Sequence, residues 1–169
     1  TALNWYQKAA EQNDGIIQCM LADKYRDGSL GEKSDDQAFN WYQKSARNGW
    51  KWGQWNLGDY YLNGHVGQHY RNAAFRLYHK AAKQNDGKIQ CMLGDKYRDG
   101  VSGIMAKSDE QAFIWYQESA NNGWKWGLWN LGECYQFARG VEQNYDTALN
   151  WYQKAAEHND GIIQCMLAD

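Results

Sequence analysis

Four classes of side chain in this sequence have chemistry beyond simple packing: histidines, cysteines, carboxylates and tryptophans. His65 and His69, in HVGQH, stand at a spacing that two metal ligands can share. No cysteine accompanies them and the matching loops carry no copy, so the pair reads as part of a solvated loop. His79 and His158 stand alone at helix positions that read as exposed. Cys19, Cys91 and Cys165 recur at one place in copies of IQCML, and Cys134 stands apart. None forms C-x-x-C or has a histidine placed to activate it, so they read as free, unreactive thiols. Equivalent points in neighbouring copies of a repeat lie beyond the ~4.4–6.8 Å between α-carbons that a disulfide spans. The carboxylates of KSDDQ and KSDEQ sit where helices should begin, and a helix N-terminus favours negative charge. With no strand there is no phosphate-cradling loop, so the expectation is no catalysis, no metal and no cofactor.

The tryptophans are the unusual feature. GWKWGQWNLG at residues 49–58 places Trp50, Trp52 and Trp55 together, and GWKWGLWNLG at residues 123–132 repeats them as Trp124, Trp126 and Trp129. The elements that hold them follow from periodicity. A-x-x-W/L-Y begins at Ala2, Ala38, Ala74, Ala112 and Ala148, with spacings of 36, 36, 38 and 36 residues. A period of this length marks a repeat architecture. Two flavours alternate, one carrying NDGxIQCML and the other NGWKWGxWNLG. TALNWYQKAAEQNDGIIQCMLAD at residue 1 returns at residue 147 with one change, Gln12 becoming His158, so a 146-residue cassette starts again within the chain.

Within each repeat the pattern is helical. Ile17, Leu21 and Tyr25 fall at i, i+4, i+8, as do Gly53, Leu57 and Tyr61, while Ala38, Tyr42 and Ala46 give a stripe on a second helix. Glycine-rich breakers, RDGSLGE and LNGHVGQ, separate them. Ser34–Gln37 and Ser108–Gln111 have the form of capping boxes, which satisfy two amide groups at a helix start. The chain has no proline to interrupt a helix. Each repeat therefore reads as two antiparallel helices of about three turns. One such hairpin cannot bury its apolar face, so copies must stack. Small residues after leucine, at Ala22, Gly58, Gly94 and Gly132, permit close approach.

The expected fold is all-α: a right-handed α-solenoid of antiparallel helix-turn-helix repeats of 36–38 residues. Residues 1–169 read as one continuous array. It opens with the second helix of one repeat, continues through repeats at about 13–48, 49–84, 85–122 and 123–158, and then starts another. Both ends fall inside a repeat, which reads as a window on a longer array.

Composition narrows the partners. The net charge of −2 gives no polybasic footprint for nucleic acid. Apolar residues make up 43 %, yet no uninterrupted run approaches the length of a membrane span.

The motif resembles the Sel-like repeat family, a relative of the tetratricopeptide repeat. The resemblance covers the whole chain. It is carried by Gly53, Leu57, Gly58, Tyr61, Gly64, Ala74, Tyr78, Lys80, Ala81 and Ala82 and their counterparts. Departures are Ala22 for Gly, Leu77 for Trp, a turn at Gly100–Lys107 longer by two residues, and a fourth turn, QFARGVEQNYD, without the early glycine. The resemblance implies a superhelix whose first helices line a concave side, and a non-enzymatic role in binding or assembling macromolecules.

Around the first helix, Trp52, Trp55 and Asp59 lie opposite the Gly53–Leu57–Tyr61 stripe, and Trp126, Trp129 and Glu133 are their counterparts. On the concave side implied by the family these six form a candidate contact surface. Two occupants are open: further copies of the chain in a scaffold or filament, or a peptide or glycan held by an adaptor. A third arrangement buries the rings against the next turn or across a narrow groove. Trp5, Trp41, Trp115 and Trp151, with Trp50 and Trp124, are expected to pack between repeats.

Overall fold

The computed structural model describes residues 2–29, 31–63, 70–158 and 163. His65, His69, Gly64 and Cys165 lie outside the described residues. The chain divides into two compact units, Thr1–Gln84 and Asn85–Asp169.

The first unit holds α1 (Ala2–Ala10), α2 (Gly15–Asp27), α3 (Asp35–Arg47), α4 (Lys51–Leu62) and α5 (Arg71–Ala82). The second holds α6 (Gly87–Asp99), α7 (Asp109–Asn121), α8 (Lys125–Phe137) and α9 (Tyr145–Ala156). Helices of 9 to 13 residues alternate with short turns, as the repeat period requires. Among the described residues the one departure from helix and turn is a small bridge, Val101 with Met105. It closes the lengthened turn and tucks Met105 into the interior.

Each first helix packs most extensively on the second helix that follows it: α2 on α3, α4 on α5, α6 on α7, α8 on α9. It packs next on the second helix before it, α3 on α4 and α7 on α8. First helices also meet one another, α2 with α4 and α6 with α8. A first helix is thus covered from several directions.

Local signals explain where the helices start. Ser34 and Ser108 accept from the amides of Gln37 and Gln111, as a capping box demands. The reciprocal arm differs: the Ser34 and Ser108 amides donate to the carbonyls of Tyr25 and Tyr97. The preceding first helix supplies an acceptor, so the glutamine side chains are not needed for it. In the other turns NDG does the capping. Asp14 and Asp86 each accept two amides of the following turn. The asparagines before them, Asn13 and Asn85, take positive φ, which asparagine tolerates better than most residues.

Two close approaches set the spacing of the helices. A Cβ at Gly94 would stand 2.6 Å from the Tyr116 ring, and Gly58 and Gly132 are in the same position under Tyr78 and Tyr152. A Cβ at Gly127 would stand 2.1 Å from Ser119 Oγ, and Gly53 meets Ser45 identically. The small residue after leucine therefore seats a tyrosine ring from its own hairpin, and the glycine five residues earlier admits the preceding second helix.

Polar groups in these interfaces are paired. Gln18 donates to the Ala10 carbonyl at 3.0 Å and accepts from Asn48 at 2.7 Å. Gln54 does the same with Ala46 and Gln84, and Gln90 accepts from Asn122. Gln18 and Gln54 thus tie the C-terminal carbonyls of one second helix to the end of the next. No buried side-chain nitrogen or oxygen among the described residues lacks a partner.

Candidate interaction surface

The candidate surface is built on α4 in the first unit and α8 in the second. Its six residues do not share one environment. Trp55 is 2 % exposed and packs on Tyr78, ring centroids 4.6 Å apart. Trp129 is 8 % exposed and packs on Tyr152 at 4.4 Å. The face opposite the leucine stripe is therefore partly covered by the hairpin's own second helix, which removes these two rings from an open platform. Trp52 and Trp126, three residues earlier, are half-buried, as are Asp59 and Glu133.

Asp59 accepts a 2.6 Å hydrogen bond from the Tyr78 hydroxyl. The same bolt joins two further hairpins: Tyr42 to Asp23 at 2.5 Å, Tyr116 to Asp95 at 2.8 Å. In the fourth hairpin Glu133 holds the register of these aspartates, and the Tyr152 hydroxyl donates instead to Gln136 Oε1 at 2.5 Å. Burial, reinforced by the neighbouring carboxylate, pushes the Tyr42, Tyr78 and Tyr116 phenols well above the ordinary tyrosine range. Burial and Glu133 raise Tyr152 to about 12.

In the other flavour the register of Trp55 and Trp129 is held by Cys19 and Cys91. A thiol is smaller than an indole, and the next first helix reaches over it: Asn56 lies 3.8 Å from Cys19 Sγ and Asn130 3.4 Å from Cys91 Sγ. Burial is the main cause that pushes Cys19, Cys91 and Cys134 up to about 12, with neighbouring carboxylates adding to it. Such thiols carry almost no thiolate near neutral pH, and all three are free.

Beside Asp59 the first unit has a polar groove of about 340 Å³ between α2 and α4, lined by Arg26, Lys33, Asp35, Asn56, Tyr60 and Asn63 as well. It presents both signs of charge. Its counterpart in the second unit, where Arg98 pairs with Asp95 at 3.2 Å and with Asp99 at 2.9 Å, shrinks to about 10 Å³ with Arg139 in the wall.

The histidines add little to this surface. His79 is half-buried, where the sequence suggested exposure: its ring lies 4.1 Å from the Phe75 ring and Nδ1 donates to the Phe75 carbonyl at 2.9 Å. Burial lowers its pKa. His158 is exposed, just past α9. Trp41 is buried, and Trp115 and Trp151 are half-buried, as expected of packing residues. Trp5 departs from that expectation at 73 % exposure, while Leu3, Tyr6 and Ala10 of the same helix join the core. The Cβ atoms of Trp50 and Trp124 lie over Gly15 and Gly87, and both side chains are half-buried. The buried glutamines and the aspartate caps were not singled out from sequence, although Q in IQC and GQW, and ND before each such helix, were the available signals.

A model of the Sel1 repeat matches residues 1–14, 18–50, 53–86, 89–124 and 127–160. The chain belongs to the Sel1 repeat family. Sel1 repeats are generally non-catalytic modules of protein–protein interaction. Among solved structures, a protective antigen of uropathogenic Escherichia coli with an SLR fold is 33 % identical over 96 % of this chain, TM-score 0.78. A Sel1 repeat protein from Oxalobacter formigenes is 29 % identical over 93 %, TM-score 0.77. The chain covers 34 % and 62 % of those two proteins. Chitin synthase regulator SKT5 of Saccharomyces cerevisiae is 33 % identical over 61 residues, which are 36 % of this chain and 9 % of SKT5. No helix among the described residues is long and apolar enough to cross a membrane.

Proposed function

We propose that this Sel1-repeat chain is a non-enzymatic scaffold that associates with protein, foremost with further copies of itself, through its first-helix faces. The contact surface is centred on Trp52 and Asp59 in the first unit and on Trp126 and Glu133 in the second, with Trp55 and Trp129 as the packed rings beneath. The observation that carries this reading is the use already made of the chemically capable groups. The thiols are buried and held protonated, and the Tyr78 phenol is bonded to Asp59. What faces outward is a repeated pattern of half-buried indoles and carboxylates. Tryptophan is enriched at interface hot spots. The return of residues 1–23 at 147–169 supports a regular array of such faces, and heterologous contacts that do not close produce filaments.

Trp52→Ala with Trp126→Ala tests the reading. Loss of self-association in sedimentation velocity, with the helical melting transition retained, supports it. Unchanged association sinks the assignment of these faces.

A second reading is an adaptor that holds a peptide or glycan. The groove of about 340 Å³ beside Asp59, with Arg26, Lys33 and Asp35 in its wall, favours it. It predicts a monomer that binds such a ligand and loses the binding on Asp59→Asn.

A further inference from the structure

A groove in the first unit lies on the second-helix side, away from the surface just described. It measures about 480 Å³ and runs between α3 and α5, within the ~300–1,000 Å³ of typical ligand pockets. Its floor is apolar: Ala46, Leu57, Ala73 and Leu77, with Tyr61 at one end. Its rim carries Arg47, Arg76 and Lys80 and no acidic side chain.

The sequence explains why a groove exists here. At the register of Leu77 the other second helices carry Trp5, Trp41, Trp115 and Trp151. Where tryptophan is followed three residues later by lysine, the ammonium sits over the indole: Lys44 is 3.8 Å from the Trp41 ring centre, Lys154 is 4.2 Å from Trp151, and Lys8 is 5.5 Å from Trp5. Lys80 keeps that place on α5, but Leu77 offers it no ring. The replacement thus removes a large aromatic volume and leaves a cation without its usual partner. Charge changes in the same direction next door. The register of Arg47 holds Glu11 just past α1 and Glu157 just past α9. Arg47, Arg76 and Lys80 form no ion pair with any described residue.

We propose that this groove docks an acidic peptide segment that inserts an aromatic side chain over Leu57 and Leu77. The inserted ring takes the place of the missing indole and gives Lys80 a π-face. Flanking carboxylates meet Arg47 and Arg76, whose planar guanidinium groups suit bidentate pairing with carboxylate. Three uncompensated cations around an apolar floor select against basic peptides and speed the approach of acidic ones.

The test is fluorescence anisotropy with a labelled hexapeptide in which one tryptophan is flanked by glutamates, against the same peptide with lysine flanks. Leu77→Trp restores the residue found at this register in α3, α7 and α9, so a folded variant is expected, and circular dichroism verifies it. Saturable binding of the acidic peptide, at least tenfold weaker in Leu77→Trp and in Arg76→Glu, and absent for the basic peptide, supports the proposal. Equal binding of both peptides, binding untouched by Leu77→Trp, or no saturation at millimolar peptide overturns it. A dimer that Leu77→Trp dissociates overturns it too, because the occupant is then a second copy. Trp52→Ala leaves this binding intact, so the result is independent of the first-helix surface.

Discussion

Gly127→Ala is the sharpest perturbation of the packing that positions the first helices. The added Cβ would stand 2.1 Å from Ser119 Oγ, 2.6 Å from Ser119 Cβ and 2.9 Å from the Ser119 carbonyl carbon. Rotating Ser119 relieves only the first of these. That rotation also breaks the 2.6 Å hydrogen bond from Ser119 Oγ to the Gly87 carbonyl, and a buried polar group left unpaired costs about 1–3 kcal/mol. The other two contacts require α7 and α8 to separate, and overpacking of this kind costs about 1–3 kcal/mol. Alanine returns about 1 kcal/mol in helix propensity. The net expectation is a loss of about 1–5 kcal/mol. Urea denaturation followed by helical ellipticity measures it, with hydrogen exchange locating the loosening at α7 and α8. Ser119→Gly in the same chain removes the two nearest of the three clashing atoms, Oγ and Cβ, so the double variant should recover stability relative to Gly127→Ala alone. Gly123→Ala serves as the comparison: it has open space around it and only its positive φ, 71°, to disturb. A neutral Gly127→Ala, or a double variant no better than the single one, refutes the close-approach argument.

Other expectations follow from the same interfaces. Trp55→Ala empties a buried indole site and should cost about 3–5 kcal/mol, read by the same denaturation. The four interhelical tyrosines hold their protons more tightly folded than unfolded, where tyrosine ionises near pH ~10. Their contribution to stability is complete below that pH and declines above it, for Tyr152 across the span from about 10 to about 12. Absorbance at alkaline pH should show these phenols ionising together with loss of helix, and early ionisation in a folded chain contradicts the assignment. In a Cys165→Ser background, Cys19, Cys91 and Cys134 should resist a thiol reagent at neutral pH until denaturant is added; rapid labelling of the native protein contradicts their burial. Ala138 ends α8 at φ 54°, so Ala138→Gly should stabilise by about 1 kcal/mol, measured as a shift in the denaturation midpoint.

Particular residues show what sequence pattern conveys and where it stops. The hairpins, their period and the small residues after leucine were legible because each is a local or periodic signal: Gly94 does lie under Tyr116, and Ser34 does cap α3. The surroundings of Trp55 were not legible from a single helical stripe. In an array of hairpins α4 is flanked by α3, α5 and α2 together, so the face opposite Leu57 is also an interface. The 100° wheel assigned Trp55 to the side opposite Leu57 and could not show that the Tyr78 ring packs on it. Gln18 and Gln54 were overlooked for a related reason. A buried amide has no hydrophobic signature, and its partners, Ala10 and Ala46 among them, are carbonyls of a neighbouring helix. The groove above Leu57 left a trace in sequence, since Leu77 breaks the tryptophan register. The departure shows a vacancy only once the rings of Trp41 and Trp151 are seen with their lysines.

If the first-helix faces are the contact surfaces of a self-associating scaffold, electron microscopy of the purified chain across a concentration series should show ordered assemblies with a regular axial repeat. The Trp52→Ala, Trp126→Ala variant should give dispersed particles. Discrete particles of one size at every concentration, in both chains, would contradict that assignment.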